Sequence, residues 1–171
     1  IKDIIRAYRI PILEVSGYEA DDVIGTLATE AGRQGITTYM MTPDKDYGQL
    51  VSDRVFMYRP KHTGGFEVMG TEEVKTKFNI QTTEQVIDML GLMGDASDNI
   101  PGCPGVGEKT AQKLIAEFGS IENLLEHTDQ LKGALKTKVE TNREMITFSK
   151  FLATIKTDVP IQLDMDSLVR E

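Results

Sequence analysis

Seven carboxylates stand in three short clusters: Glu19, Asp21 and Asp22 in GYEADD, Asp44 and Asp46 in TPDKD, and Asp95 and Asp98 in GDASDNIPG. The third cluster runs into a glycine-rich loop that opens a helix, PGCPGVGEKTAQKLI over residues 101–115. Carboxylates at this density suit hard divalent cations, which take oxygen ligands. A glycine-rich helix start suits phosphate, because unpaired backbone N–H groups point at the anion there. Metal and phosphate together point to hydrolysis of a phosphodiester.

Each cluster also has a plainer reading. Acids in EADD complement a helix dipole. In DKD the two carboxylates point the same way if the segment is extended, or form an Asx-type turn beside Pro43. GDASDNIPG can be a polar loop in which Asp98 caps a turn. Coincidence favours the metal reading: all three clusters fall at the ends of inferred elements. Like charges gathered that closely repel unless cations are present.

In the loop, Gly105 and Gly107 flank Val106, and Glu108 opens the helix. A P-loop is excluded by spacing, since Glu108 intervenes before Lys109 and Thr110 and would repel a triphosphate. The GxGxxG dinucleotide pattern is absent. A helix cap without a ligand stays open as an alternative. His62 and His127 have no partner at ligand spacing and read as solvated surface. Cys103 reads as a small apolar filler, the eight Met residues as packing, and Tyr8, Tyr18 and Tyr47 as core or rim rather than base-stacking groups.

The elements that must hold these groups follow from periodicity. Residues 1–9 carry a helical stripe of Ile1, Ile4, Ile5 and Tyr8, and Pro11 ends it. A strand is expected over residues 12–15, a helix over 19–32 and a second strand over 36–41, which together make a right-handed βαβ unit. The first two acid clusters then lie beyond the carboxyl ends of parallel strands, where open sheets bind ligands, and should meet in space. Residues 54–58 and 65–69 read as a hairpin. Helices follow over 71–78 and 83–93, with Thr82 and Gln85 as a capping box, then over 108–118. A short Ser120-capped helix, helical stretches to about residue 155 and a QLDMD tail close the chain.

A chain of 171 residues supports one core and a small appended subdomain. No apolar stretch approaches membrane-span length, no signal-peptide pattern opens the chain, and the lone Cys103 excludes an internal disulfide. The net charge of −8 argues at first against nucleic acid. Without the seven clustered acids, twenty acids face nineteen bases, and residues 132–156 hold six bases against Glu140 and Glu144. That stretch fits a solvated helix face as well as a DNA track. An opening Ile suggests a piece cut from a longer protein.

With these motifs assembled, the chain resembles the 5′-nuclease domain of bacterial DNA polymerase I, within the flap endonuclease superfamily. GYEADDVIGTLA, TPDKDYGQLV, GDASDNIPGCPGVGEKTAQKLI and TIKTDVPI carry the resemblance almost from end to end. It implies an α/β fold, with a Rossmann-like (PIN-like) parallel sheet over residues 1–94 that is incomplete at its N-terminus. A helical DNA-binding subdomain with a helix–three-turn–helix element and a C-terminal tail follows over 95–171. It further implies two Mg²⁺ or Mn²⁺ ions, the first served by Glu19, Asp21 and Asp22, the second by Asp44, Asp46, Asp95 and Asp98. Asp21, Asp46 and Asp98 would be the catalytic acids. Gly105, Val106, Gly107, Lys109, Thr110 and Lys113 would grip the duplex backbone, with K⁺ on the loop carbonyls. The implied substrate is duplex DNA with a 5′ flap, nick or RNA primer, cut by a monomer in the bacterial cytoplasm, at the nucleoid, with a polymerase following.

The family's earliest strand and helical arch have no counterpart here and would lie before Ile1, so the chain alone should be a poor nuclease. Tyr47 and Gly48 sit where the family has two apolar residues. Two other classes stay beside this reading: a non-catalytic duplex-binding module with a structural metal, and a metal-dependent phosphatase. The phosphatase reading lacks a strand-end DxD nucleophile and leaves the glycine loop idle.

Overall fold

Helix α1 (Lys2–Ala7) buries none of its residues, whereas α2 (Ala20–Arg33) buries Val23, Gly25, Thr26, Ala28 and Ala31 along one face. Asp21 and Asp22 occupy the first turn of α2, where the helix dipole favours them. The computed structural model describes residues 1–61 and 63–169. The surface reading of His62 therefore lies outside the described residues.

Three strands form one sheet in the order β1 (Thr38–Met41), β2 (Val55–Pro60), β3 (Phe66–Met69). β1 runs parallel to β2, with Thr38 opposite Val55 and Met41 opposite Tyr58. β2 and β3 form the expected antiparallel hairpin, Met57 opposite Met69. The parallel pair is joined by residues 42–54, a crossover of the length such pairs need, which contains a 3₁₀ helix, Lys45–Leu50.

The strand expected over residues 12–15 does not form. A strand exists only through its ladder, and among the described residues none lies on that side of β1 to pair with it. Leu13 is accordingly exposed. The parallel partner of β1 is β2, so the strand–helix–strand unit read from the sequence is replaced by a strand–3₁₀–strand unit, with α2 packed beside it.

The helices match their expected spans closely. α3 (Thr71–Phe78) follows the hairpin, and α4 (Gln85–Met93) starts where Gln85 Oε1 reaches back to the Gln81 and Thr82 N–H groups at 2.8 and 3.2 Å. α5 (Glu108–Phe118), α6 (Ile121–Glu126, with Ser120 Oγ accepting from Asn123 N–H), α7 (Gly133–Thr141) and α8 (Arg143–Ala153) complete the helical half. A last short helix, α9 (Met165–Leu168), was not expected from the QLDMD tail.

One apolar cluster runs through both halves, from Met40, Val55 and Met57 on the strands to Leu114, Leu124 and Ile146 on the helices. α4 is its centre, buried on nearly every side and packed against α5, α8 and the 3₁₀ helix. Its one acid, Asp88, is buried and hydrogen-bonded. Asp88 Oδ1 accepts the Ile121 N–H at 2.9 Å and the Lys150 ammonium at 2.6 Å, and Lys150 also reaches Glu122 at 2.7 Å. Burial works against the Lys150 charge, but the two carboxylate hydrogen bonds outweigh it and raise its pKa. α4 and α8 approach closely because position 91 is glycine; a Cβ there would stand 2.7 Å from Ile121 Cδ1 and 3.1 Å from Lys150 Cα.

Removing one partner of a buried pair leaves an uncompensated charge, at about 3–5 kcal/mol when burial is complete. Lys150 keeps partial exposure, so Lys150→Met should cost about 2–3 kcal/mol in urea unfolding. Asp88→Leu combined with Lys150→Met should lose less than the two single variants together.

Candidate metal centre and phosphate loop

The 3₁₀ helix after β1 is capped by its own first acid: Asp44 Oδ1 accepts the Asp46 N–H at 2.9 Å, and Asp44 N–H donates to Thr42 Oγ1 at 3.1 Å. The Asx-type turn is therefore realised. DKD is not extended, and its two carboxylates do not point alike as an extended segment would make them. Asp44 caps the helix, while Asp46 is turned inward and 8% exposed.

The third cluster folds back on itself. Asp95 and Ile100 exchange backbone hydrogen bonds at 2.9 and 2.8 Å, with Asn99 in the left-handed region at φ 57°. Asp95, rather than Asp98, closes the turn, accepting both the Ser97 N–H and the Ser97 hydroxyl through Oδ1. Asp98 is thereby left exposed and facing Asp46. One carboxylate oxygen from each of Asp46, Asp95 and Asp98 lies within 4.8 Å of the others.

The first cluster reaches the same place from α2. Glu19, Asp21, Asp22, Asp46 and Asp98 line one cleft of about 390 Å³, walled on the far side by residues 152–155. Two contacts that sequence patterns do not reveal fix this meeting. Tyr47, buried beside Asp46, donates its hydroxyl to Asp21 Oδ1 at 2.6 Å. The Lys156 N–H donates to Asp22 Oδ1 at 2.9 Å, across 134 residues of sequence. Gln49 ties the wall down by donating to the Ala153 carbonyl and accepting from the Ile155 N–H. Gly25 makes room for it, since a Cβ there would stand 2.6 Å from Ile155 Cγ2. Glu19 sits at the N-cap position of α2 with no capping hydrogen bond from its side chain. A larger cleft of about 740 Å³, beside the amino end of β2, holds no acid cluster and is not the chemical site.

The electrostatics match the crowding. Burial first, and Asp44 second, push Asp46 up to about 7, with Asp95 and Asp98 adding to the effect. Asp98 is raised by burial and by Asp44 and Asp95. Asp95 is held down to about 2 by hydrogen bonds from Lys45 and Ser97. Tyr47 is raised by burial and by its bond to Asp21. Asp46 Oδ1 is buried without a hydrogen-bond partner, an arrangement that costs free energy unless a cation supplies the missing ligand. The donor set is all oxygen, which fits Mg²⁺ or Mn²⁺.

The glycine loop is anchored as much as it is exposed. Gly102 has φ +65°, and a Cβ there would lie 2.4 Å from Gly94 N; its N–H donates to buried Ser149 Oγ at 2.9 Å. Cys103 N–H reaches the Leu92 carbonyl at 2.7 Å, and burial raises its thiol, as a packing residue requires. Val106 is 4% exposed, so it presents no side chain outward. Gly105, Gly107, Lys109 and Lys113 are exposed and Thr110 is half-buried, with Lys109 and Lys113 one turn apart on α5. Lys138, on α7, brings its ammonium 3.5 Å from the Gly105 carbonyl, a basic neighbour that sequence spacing did not reveal. His127 Nδ1 sits 2.9 Å from the Asn123 carbonyl at the end of α6, away from the acids. Among the described residues no helix is long and apolar enough to cross a membrane.

The raised Asp46 has a signed consequence. Between its ordinary value near 4 and its folded value of about 7, the native state keeps a proton that the unfolded chain has released. The contribution of Asp46 to stability is therefore fully present below about pH 4 and is lost as pH rises to about 7. In a chelating buffer the loss should reach at most about 4 kcal/mol, and Asp46→Asn should flatten the curve in urea unfolding followed from pH 4 to pH 8.

Comparison with known proteins places the chain. A family model described as 5′-3′ exonuclease, N-terminal resolvase-like domain, matches residues 1–79, and one described as 5′-3′ exonuclease, C-terminal SAM fold, matches residues 81–171. DNA polymerase I of Bacillus caldotenax is 45% identical over 170 residues, covering 98% of this chain and 19% of that protein. DNA polymerase I of Bacillus subtilis (strain 168) is 46% identical with the same coverage. The chain thus spans about a fifth of the length of these relatives. Among solved structures, T5 5′-exonuclease with bound zinc ions superposes with a TM-score of 0.80 at 23% identity, covering 91% of this chain and 58% of that one. The catalytic core of Rad2 in complex with DNA substrate gives 0.58 at 15% identity, covering 95% and 56%. These two likenesses carry the fold, an α/β sheet followed by a helical half. The two family models together account for nearly every residue, and the chain belongs to the 5′-3′ exonuclease family.

Proposed function

We propose that this chain is the downstream part of the 5′-nuclease domain of a DNA polymerase I, hydrolysing a phosphodiester near a 5′ end at a flap, nick or RNA primer. The observation that carries the reading is the buried, unpartnered Asp46 Oδ1 at the meeting point of three carboxylates, one loop away from the glycine-rich start of α5. Residues 1–94, joined by Asp95 and Asp98, would hold the metals, and the rest of 95–171 the duplex.

In this reading Glu19, Asp21 and Asp22 hold one divalent ion, and Asp44, Asp46, Asp95 and Asp98 hold the other, Asp44 acting through the 3₁₀ turn it caps. Mg²⁺ or Mn²⁺ bound there supplies Lewis-acid activation of the phosphate and of the attacking water. The chain's own residues do the positioning. Tyr47 fixes the Asp21 carboxylate, the Lys156 N–H fixes Asp22, and residues 152–155 wall the cleft against bulk water. Gly105, Gly107 and Thr110, with Lys109 and Lys113, take the duplex backbone through N–H groups and charge, which is binding without sequence preference. Val106 contributes the buried anchor that holds this loop to the core. A K⁺ ion on the loop carbonyls belongs to the same reading, as do action as a monomer, a place in the bacterial cytoplasm at the nucleoid, and a polymerase on the same polypeptide. Relatives named DNA polymerase I support the nuclease and polymerase parts of this reading, and a structure of the T5 D15 flap endonuclease with DNA and metal ions shares the fold.

Measured on the complete natural polypeptide, cleavage of a 5′-flap duplex should require Mg²⁺ and stop on chelation. Asp46→Asn should lower the rate at least about a hundredfold while duplex affinity stays within twofold. Retained cutting in that variant overturns the assignment. Lys109→Ala with Lys113→Ala should weaken duplex binding for every sequence alike and reduce the salt slope by about two.

A further inference from the structure

The cation nearest the converging carboxylates is one of the chain's own. Lys45 stands between Asp44 and Asp46 in sequence, at the first position of the 3₁₀ helix. Its ammonium is hydrogen-bonded to Asp95 Oδ2 and lies 3.8 Å from Asp46 Oδ1. These are two of the three acids whose oxygens converge within 4.8 Å, so one lysine links the second acid cluster to the third. Its placement is not free: the Asp44 cap fixes the start of the helix, and the Asp95–Ile100 bridge fixes the opposite carboxylate.

Lysine carries a compact charge on a flexible four-carbon stem, and this side chain keeps 36% of its surface exposed. It can therefore swing away from Asp95 and Asp46 without unfolding any element. It also fills the cation's role only in part, since Asp46 Oδ1 stays without a hydrogen bond beside it. A divalent ion offers more charge and more coordination positions than one ammonium.

We propose that Lys45 is a tethered counter-ion, which holds the place of the second divalent ion among Asp46, Asp95 and Asp98 and must be displaced for that ion to bind. The proposal rests on the metal reading of the preceding subsection. It makes divalent affinity the outcome of a competition inside the chain. It also lets the metal-free fold survive carboxylates that would otherwise repel.

The test is Mn²⁺ titration of chelator-stripped protein by calorimetry and by the electron paramagnetic resonance of free Mn²⁺, comparing wild type with Lys45→Met and Lys45→Gln. Lys136→Met, at an exposed ion pair with Glu140, serves as the control. Both Lys45 variants should bind Mn²⁺ at least tenfold more tightly at one site, while the control matches wild type. Their metal-free melting midpoints should fall by several degrees and recover on adding Mn²⁺. Lys45→Arg should restore wild-type affinity or weaken it. Unchanged or weaker Mn²⁺ binding in the Met and Gln variants, with wild type still binding, overturns the proposal alone. Absence of Mn²⁺ binding in wild type and variants alike overturns the metal site itself and the proposal with it.

Discussion

The constraint on which this structure depends is the repulsion of carboxylates gathered where water is scarce. Asp46 cannot be solvated by its surroundings, has no hydrogen-bond donor for one oxygen, and faces Asp44, Asp95 and Asp98. Two like charges about 4 Å apart in a partly buried site repel by several kcal/mol, far more than a surface pair gains. Rigid backbone, with the Lys45 ammonium beside it, holds them there. The Asp44-capped 3₁₀ turn, the Asp95–Ile100 bridge and the first turn of α2 are three short, self-hydrogen-bonded elements that do so.

Around that centre the chain spends hydrogen bonds on alignment rather than on reach. Tyr47 and the Lys156 N–H each take one oxygen of a neighbouring carboxylate, which fixes its orientation. Such second contacts orient ligands and tune their affinity for a metal by about 10–100-fold. The helical half is held by a different device. Asp88, Lys150 and Glu122 join α4, α6 and α8 through charge-assisted bonds, and Ser149 on α8 seats the Gly102 N–H, so the loop and the clamp share one helix.

Much of this was legible in the residues. Helical periodicity placed α2, α3 and α5, and the acid spacing placed the clusters at element ends, because both signals are local. The strand over residues 12–15 was misread because ILEV has the composition of a strand while a ladder partner is a non-local property. Asp88 passed unnoticed since nothing in QVIDMLGLM says that its oxygen will cap a helix thirty residues on. Lys45 and Tyr47 were visible as letters, but their contacts cross 50 and 26 residues. Val106, read as part of a binding loop, turned inward because the loop needs an apolar anchor between two exposed glycines.

The bond from the Lys156 N–H to Asp22 closes a loop of 134 residues. The carboxylates of the cleft come from residues 19–98, while the wall arrives only with residues 152–155. A nascent chain that has built its sheet still presents an open trough to solvent, and enclosure waits on synthesis of α8 and the residues just after it. A cleft assembled in that order stays open along one side until translation has passed residue 155.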